Sequence, residues 1–369
     1  MRNMSFFIIF FTIALAALGY ALWHVWCILP LPKLWKILIV ASMAICFFSM
    51  FFFLGGRLDR TNLNTASILY EISTSSLIVT LYLVLLFLAA DIARVVHLLP
   101  SRFLHSSWAG TLTVIVVMLA IFIYGNIRYN NKVRVPLQLT TNKVLPHDYK
   151  IVMASDFHIG YHNRRAELSR WVDMINAEKP DLILIAGDII DMSMRPIEEE
   201  NMAEEFRRLS APIYACLGNH EFFSNVQKAQ EFYRAAGIHL LIDSTAVVDS
   251  ALTIIGRDDR MNHSRKELKS LANQADTGTY TIVLDHQPYE LEKTEQCGID
   301  FQLSGHTHRG QVWPLSWITD AIYECSWGEF QRNNTSFYVS SGLGIWGGKF
   351  RIGTQSEYVV ATLSSKQKQ

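Results

Sequence analysis

Leu303-Ser304-Gly305-His306-Thr307-His308-Arg309-Gly310-Gln311 is the stretch on which the reading of this chain turns. It closes a short apolar run, Phe301–Leu303, and places two histidines two residues apart just after a glycine. In extended backbone, alternate side chains point the same way, so both imidazoles can face one small volume. Imidazole is the commonest side-chain metal ligand. A lone His-x-His is as often a pair of loop histidines. The blocks upstream of it decide between the two readings.

Each of those blocks ends an apolar run of strand character. Tyr149–Ala154 leads into Ser155-Asp156-Phe157-His158, and Asp181–Ala186 leads into Gly187-Asp188-Ile189-Ile190-Asp191. Pro212–Leu217 leads into Gly218-Asn219-His220-Glu221, and Tyr280–Leu284 into Asp285-His286-Gln287-Pro288. Asp188 follows Asp156 by 32 residues and Asn219 follows Asp188 by 31, the step of a parallel strand–helix–strand unit. Helical spacing fills the intervals at Arg164–Glu178, Glu198–Leu209, Val226–Ala236 and Lys266–Ala275. Ligands of open α/β sheets gather at the carboxyl ends of strands. Packing alone does not explain polar, metal-type residues returning to strand ends at a fixed step. Ile238–Ile242, Ala246–Val248 and Leu252–Ile255 are expected to build a second sheet, with Phe337–Ser340 and Tyr358–Leu363 completing the strands.

The ordered set Asp156-x-His158, Gly187-Asp188-x-x-Asp191, Gly218-Asn219-His220-Glu221, His286-x-Pro288 and Gly305-His306-x-His308 resembles the calcineurin-like metallophosphoesterases across roughly residues 148–363. It is most similar to their membrane-attached bacterial branch, the YkuE/YaeI-like proteins. Ser341-Gly342-Leu343-Gly344 and Phe350-Arg351-Ile352-Gly353 look like that branch too; Arg309 replaces one of its glycines. The resemblance implies an α/β fold, a four-layer αββα sandwich. It implies two divalent ions, Mn²⁺ foremost with Fe or Zn²⁺ as alternatives. Asp156, His158 and His308 would hold one ion, and Asn219, His286 and His306 the other, with Asp188 bridging them. His220 would contact a phosphoryl oxygen or assist the leaving group, and Asp191 and Glu221 would support it. The implied reaction is in-line hydrolysis of a phosphate ester, phosphodiester or pyrophosphate by a hydroxide shared between the ions. Arg309 and Arg351 are either phosphate-binding forks or solvated loop arginines, with the second reading favoured for Arg309. His162, His239 and His263 belong to no block and are read as surface or packing residues.

The N-terminal third is of another kind. Ser5–Trp26, Leu34–Gly55, Ala66–Ala90 and Ala109–Tyr124 are apolar runs near the length of about 20 residues that a spanning helix needs. Glu71 and Ser73–Ser76 interrupt the third run, and the fourth needs extension through Asn126. Tyr20, Trp23, Trp26, Trp35 and Trp108 sit near the ends, where interfacial aromatics belong. His24 is placed in that belt and Glu71 near an interface. The organisation read here is an all-α bundle of about four transmembrane helices over 1–127, a polar tether over 128–147, and the phosphoesterase domain over 148–369. Arg2, Arg57, Arg60, Arg128, Lys132 and Arg134 on one side, against Lys33, Lys36, Arg94 and Arg102 on the other, favour cytoplasmic ends for a bacterial inner or plasma membrane protein.

Lys+Arg and Asp+Glu balance at 33 each, and no basic run marks a nucleic-acid partner. The five cysteines match no zinc or redox spacing and read as small buried hydrophobes in a reducing compartment. The partners expected are the lipid bilayer and a phosphate ester. A lipid-linked diester or pyrophosphate of the UDP-diacylglucosamine type fits the anchor. Two other readings compete: a non-catalytic, membrane-tethered interaction module on the same fold, and a transporter with a regulatory domain. The presence of every expected ligand and of His220 weighs against the first. The absence of repeats and of buried charge pairs weighs against the second.

Overall fold

Pro30 and Pro32 cannot continue a helix, and they separate the first two of four long apolar helices. These are α1 (Arg2–Ile28), α2 (Lys33–Phe53), α3 (Leu63–Val95) and α4 (Trp108–Asn130). Asn62 starts α3, its side-chain oxygen accepting the Asn64 N–H at 3.0 Å. All four helices are long and apolar enough to cross a membrane. The computed structural model describes residues 2–53 and 56–366. The last two residues of the expected second span, and the last three of the expected catalytic domain, lie outside the described residues.

The chain divides into two compact units: Met1–Asn126 with Gly347–Lys349, and Ile127–Trp346 with Phe350–Gln369. The first unit holds a polar cluster that the sequence reading did not anticipate. The Tyr20 hydroxyl donates to Asp91 Oδ2 at 2.7 Å, and His24 Nε2 lies 3.0 Å from the same oxygen. Arg94 reaches the other Asp91 oxygen at 3.3 Å. His24 is buried, and its ring stacks on Phe87.

Among the described residues, the second unit is built on twelve strands: β1 (Val133–Thr141), β2 (Tyr149–Ala154), β3 (Leu182–Ala186), β4 (Ile213–Cys216), β5 (His239–Leu240), β6 (Ser244–Val248), β7 (Leu252–Gly256), β8 (Tyr280–Leu284), β9 (Phe301–Ser304), β10 (Gly328–Arg332), β11 (Thr335–Val339) and β12 (Glu357–Ser365). They form two six-stranded sheets, ordered β1-β12-β2-β3-β4-β5 and β10-β11-β9-β8-β7-β6. The helices are α5 (Arg165–Ala177), α6 (Arg195–Glu199), α7 (Ala203–Phe206), α8 (Asn219–Ser224), α9 (Val226–Ala235), α10 (Leu268–Ala272), α11 (Leu291–Gln296) and α12 (Leu315–Ile322).

Period-two alternation assigns the layers. Along β2, Tyr149, Ile151 and Met153 face the core between the sheets, while Val152 and Ala154 face the core under α5 and α9. Along β3, Leu182, Leu184 and Ala186 turn to the inner core and Ile183 and Ile185 to the outer one. Strands buried on both faces read as continuous apolar runs, which is why these were legible in the sequence. Beyond the second sheet, Ile255 and Val283 pack with Leu268 and Leu271 of α10. The result is the expected αββα sandwich, preceded by four apolar helices.

Four readings of the sequence need correction. Residues 133–141, read as tether, are β1, a parallel partner of β12 over nine residues. Val133, Val135, Leu137 and Leu139 do alternate, and Pro136 is tolerated because β1 is an edge strand. The run 238–242, expected in the second sheet, instead pairs with β4 in the first. The helix expected over Glu198–Leu209 is broken into α6 and α7, with Asn201 in the left-handed region at φ 50°. β10, an exposed edge strand, was missed.

Candidate metal centre

Five loops, three leaving the first sheet and two the second, carry the blocks. Each starts where β2, β3, β4, β8 or β9 ends, and neighbouring strands within each set run parallel. Their carboxyl ends therefore meet at one edge. The backbone then takes an uncommon course. Asp156, His158, Asp188, His306 and His308 all have positive φ, between 45° and 70°. Asp and His tolerate this region better than most residues. Five such residues in one site mark a geometry imposed by the surrounding fold.

Among the described residues, three groups of ligand-type side chains result: Asp156, His158 and His308; Asp188, His286 and His306; and His158, Asp191 and His220. Within each group the ligand atoms lie within 4.8 Å of one another. His158 Nε2 and His308 Nε2 are 3.0 Å apart, and His308 Nε2 is 3.4 Å from Asp156 Oδ1. In the second group, His286 Nε2 stands 3.0 Å from Asp188 Oδ2, and His306 Nδ1 lies 2.8 Å from Asn219 Oδ1. Asp188 Oδ2 is also 3.8 Å from His158 Nε2, so this carboxylate stands between the groups. His286 Nε2 is buried and has no hydrogen-bond partner among the described residues. A cation seated among Asp188, His286 and His306 would satisfy it. The donor set of carboxylate, amide oxygen and imidazole fits divalent transition metals.

A supporting layer orients these ligands. Asp191 Oδ1 lies 3.0 Å from His220 Nδ1 and 3.5 Å from His158 Nδ1, which directs both Nε2 atoms away from it. His286 Nδ1 is pinned to the Ala186 carbonyl at 2.7 Å. Glu221 accepts the N–H groups of Gly218 at 2.8 Å, Ile190 at 3.0 Å and Asp188 at 3.2 Å, together with the Tyr233 hydroxyl at 3.0 Å. One buried carboxylate thus ties the β3 and β4 loops together. The His306 N–H donates to both Asp156 oxygens at 3.1 Å, joining the two sheets across the centre.

The electrostatics favour cations. Burial pushes Asp156 and Asp191 upward, yet neighbouring histidines hold both well below the usual carboxylate range. Burial would lower His158, but hydrogen bonds to Asp156 and Asp191 raise it to about 10. Burial likewise opposes the rise of His286, which Asp188 drives well above the usual value. Burial and the charge of His286 take His306 down to about 4, and burial also lowers His308 well below the usual value. Burial and the Asp188 charge raise Glu221. A buried centre that keeps its carboxylates ionised is prepared for metal ions.

Two glycines set the clearances. Gly187 has φ +74°, and a Cβ there would come within 2.8 Å of Gly218 N and His286 Nδ1. A Cβ on Gly305 would sit 2.3 Å from Asp156 Oδ2 and 2.5 Å from Ser155 Oγ. Gly305→Ala is therefore expected to displace Asp156, lower the bound metal per chain and reduce turnover by about 10- to 100-fold. Metal analysis of the purified variant beside wild type, with hydrolysis rates, checks this.

The two arginines of the sequence reading part company. Arg309 places its guanidinium over the Trp327 ring, 4.2 Å from its centroid. Arg351 is neither solvated nor a phosphate fork. It is fully buried and donates to the carbonyls of His308 at 2.8 Å and Gly344 at 3.1 Å, and also to that of Ser341. Burial lowers it to about 10, so it remains a cation at neutral pH. Its sequence signal was the Phe350–Gly353 tail; nothing in its own residue type announced a structural role. His162 is buried, with Nε2 2.6 Å from the Ile345 carbonyl, whereas His239 is exposed and stacks on Tyr214.

Comparison with known proteins agrees with this geometry. The pattern of the family described as calcineurin-like phosphoesterase matches residues 149–310, which contain every ligand named above. A metallophosphoesterase of Aquifex aeolicus is 30% identical over 229 residues, 59% of this chain and 86% of that one. The chain belongs to the calcineurin-like phosphoesterase family. Among its metallophosphoesterase relatives, YkuE of Bacillus subtilis is 29% identical over 66% of this chain and 90% of its own. A Danio rerio protein named as a transmembrane protein with metallophosphoesterase domain is 27% identical over 68% of this chain and 62% of its own. As a calcineurin-like phosphoesterase, the chain is a hydrolase with His/Asp clusters consistent with a dinuclear metal site.

Proposed function

We propose that this chain is a membrane-anchored, dinuclear metal-dependent phosphoesterase acting on a phosphate ester, phosphodiester or pyrophosphate, with a lipid-linked substrate. The observation that carries the reading is Asp188, within 3.0 Å of His286 and 3.8 Å of His158, one from each ligand group. Asp156, His158 and His308 would hold one ion, and Asn219, His286 and His306 the other, with Asp188 available to both. When bound, two such ions offset phosphoryl charge and make a water nucleophilic at neutral pH. Asp191 accepts the Nδ1–H of His220 and presents its Nε2 to a phosphoryl oxygen or to the leaving group. Glu221 keeps the β3 and β4 loops in register. The mixture of oxygen and nitrogen donors suits Mn²⁺, with Fe or Zn²⁺ as alternatives.

Four helices of spanning length support anchoring in a bilayer, and the six-to-four balance of basic residues supports a cytoplasmic catalytic unit. The test is metal analysis of the purified full chain together with a screen of soluble and lipid-linked esters. The expected result is two ions per chain and hydrolysis that chelation abolishes and Mn²⁺ restores. A metal-free chain that cleaves esters at the same rate would overturn the reading.

A further inference from the structure

The helix that follows the last ligand block carries its apolar residues outward. Trp317, Ile318 and Ile322 of α12 are 64%, 56% and 57% exposed, with Trp313 and Leu315 just before them at 41% and 37%. Ile318 and Ile322 are four residues apart and share one helix face, and the Trp313 and Trp317 rings meet edge to face at 5.3 Å. Asp320 is the only charged residue between 313 and 322. Isolated exposed hydrophobic residues are ordinary on a soluble domain, whereas a contiguous patch marks an interaction surface.

We propose that this face of α12 seats the catalytic unit on a lipid surface, at the mouth of the metal centre. Its position supports this. Leu315 lies seven residues after His308 in the chain, and Tyr323, directly after α12, brings its ring to 6.3 Å from that of His306. Across the centre, half-exposed Phe223 sets its ring 5.3 Å from His220. Apolar groups thus flank both the ligand side and the His220 side of the site. The occupant follows from the rest of the chain. β1 begins three residues after α4, a helix of spanning length, so the catalytic unit is tethered at a bilayer by its own connectivity. A short helix with tryptophan and isoleucine on one face lies in the interfacial plane of such a surface. An ester whose acyl chain stays in the bilayer can then offer its phosphate to the metals without leaving it.

Two measurements on the full chain separate this inference from the functional reading it deepens. The first needs no activity. In nanodiscs of dioleoylphosphatidylcholine or of its 9,10-dibromo analogue, bromine quenches indole emission on contact. The Trp317→Phe variant is expected to lack a quenchable component present in wild type. A Trp317 component that bromine leaves untouched overturns the proposal. One shielded in proportion to protein concentration assigns the face to a second copy and overturns it equally.

The second measurement compares hexadecyl p-nitrophenyl phosphate in mixed micelles with soluble bis(p-nitrophenyl) phosphate. Combined Trp317→Gln and Ile318→Gln substitution is expected to raise the apparent KM for the micellar ester roughly tenfold and to leave the soluble ester within about twofold. Equal effects on both esters, or none on either, count against the proposal. If wild type cleaves neither ester, the assignment of diester hydrolysis fails, and the quenching result still decides the role of α12.

Discussion

Asp188→Asn is expected to abolish stable binding of the metal pair and to lower turnover by about 10³-fold or more, the scale of losing a major electrostatic stabiliser. The substitution is nearly isosteric. The amide oxygen can keep the His220 N–H bond that Asp188 Oδ1 accepts at 2.9 Å, so the loop retains its anchor. What disappears is the negative charge between His158 and His286. Without it, two cations a few ångströms apart repel one another with no shared anion to hold them. The same change also acts without metal: burial would raise the Asp188 carboxyl, but His286, His220 and His158 hold it well below the usual carboxylate range, so its charge stabilises the metal-free centre too. The metal-free variant is therefore expected to melt below metal-free wild type at neutral pH, and the further stabilisation that metal confers on wild type is expected to vanish. Metal content, melting with and without chelator, and hydrolysis rate read these effects separately. A variant that keeps two ions and near-normal turnover would remove Asp188 from the position assigned to it.

His220→Ala is expected to behave in the opposite way towards metal. His220 belongs with Asp191 and His158 and is absent from the two groups assigned to the ions. Both ions should stay bound while kcat falls by about 10²–10⁴-fold, the range for a positioned general acid. The Asp191 carboxylate 3.0 Å from Nδ1 fixes the ring, so a proton on Nε2 is the one positioned to be donated. Dependence on the leaving group tells which atom receives that proton. If it goes to the departing oxygen, alkyl esters lose more than p-nitrophenyl esters, whose leaving group needs no proton. If Nε2–H instead binds a phosphoryl oxygen, the loss is uniform. Unchanged turnover in the variant, with both ions present, would show that His220 takes no part.

Much of the candidate site is legible in the sequence. Asp156, Asp188, Asn219, His286 and His306 each follow an apolar run, and those runs are β2, β3, β4, β8 and β9. The signal was local: strands buried on both faces are continuously apolar, and polar residues begin where burial ends. The same logic made the four apolar helices readable. The tether reading failed where the alternation was weaker. β1 buries only Leu137, Leu139 and Thr141 fully, at a sheet edge, and Pro136 argued against a strand.

The amino-acid order by itself determined the layers, the chain positions of the ligands and the apolar N-terminal helices, because each depends on a periodicity contained within a few residues. Tertiary structure decided the rest. Positive φ at Asp156, His158, Asp188, His306 and His308 is held by contacts between loops more than a hundred residues apart, such as the His306 N–H on Asp156. Arg351 became the buried tie of the last metal loop only because carbonyls of residues 308, 341 and 344 converge on it. The apolar residues at 313–322 carry no local sign of exposure, and the folded chain turns Trp317, Ile318 and Ile322 to the surface. Burial belongs to the whole arrangement of neighbours, and no local pattern can state it.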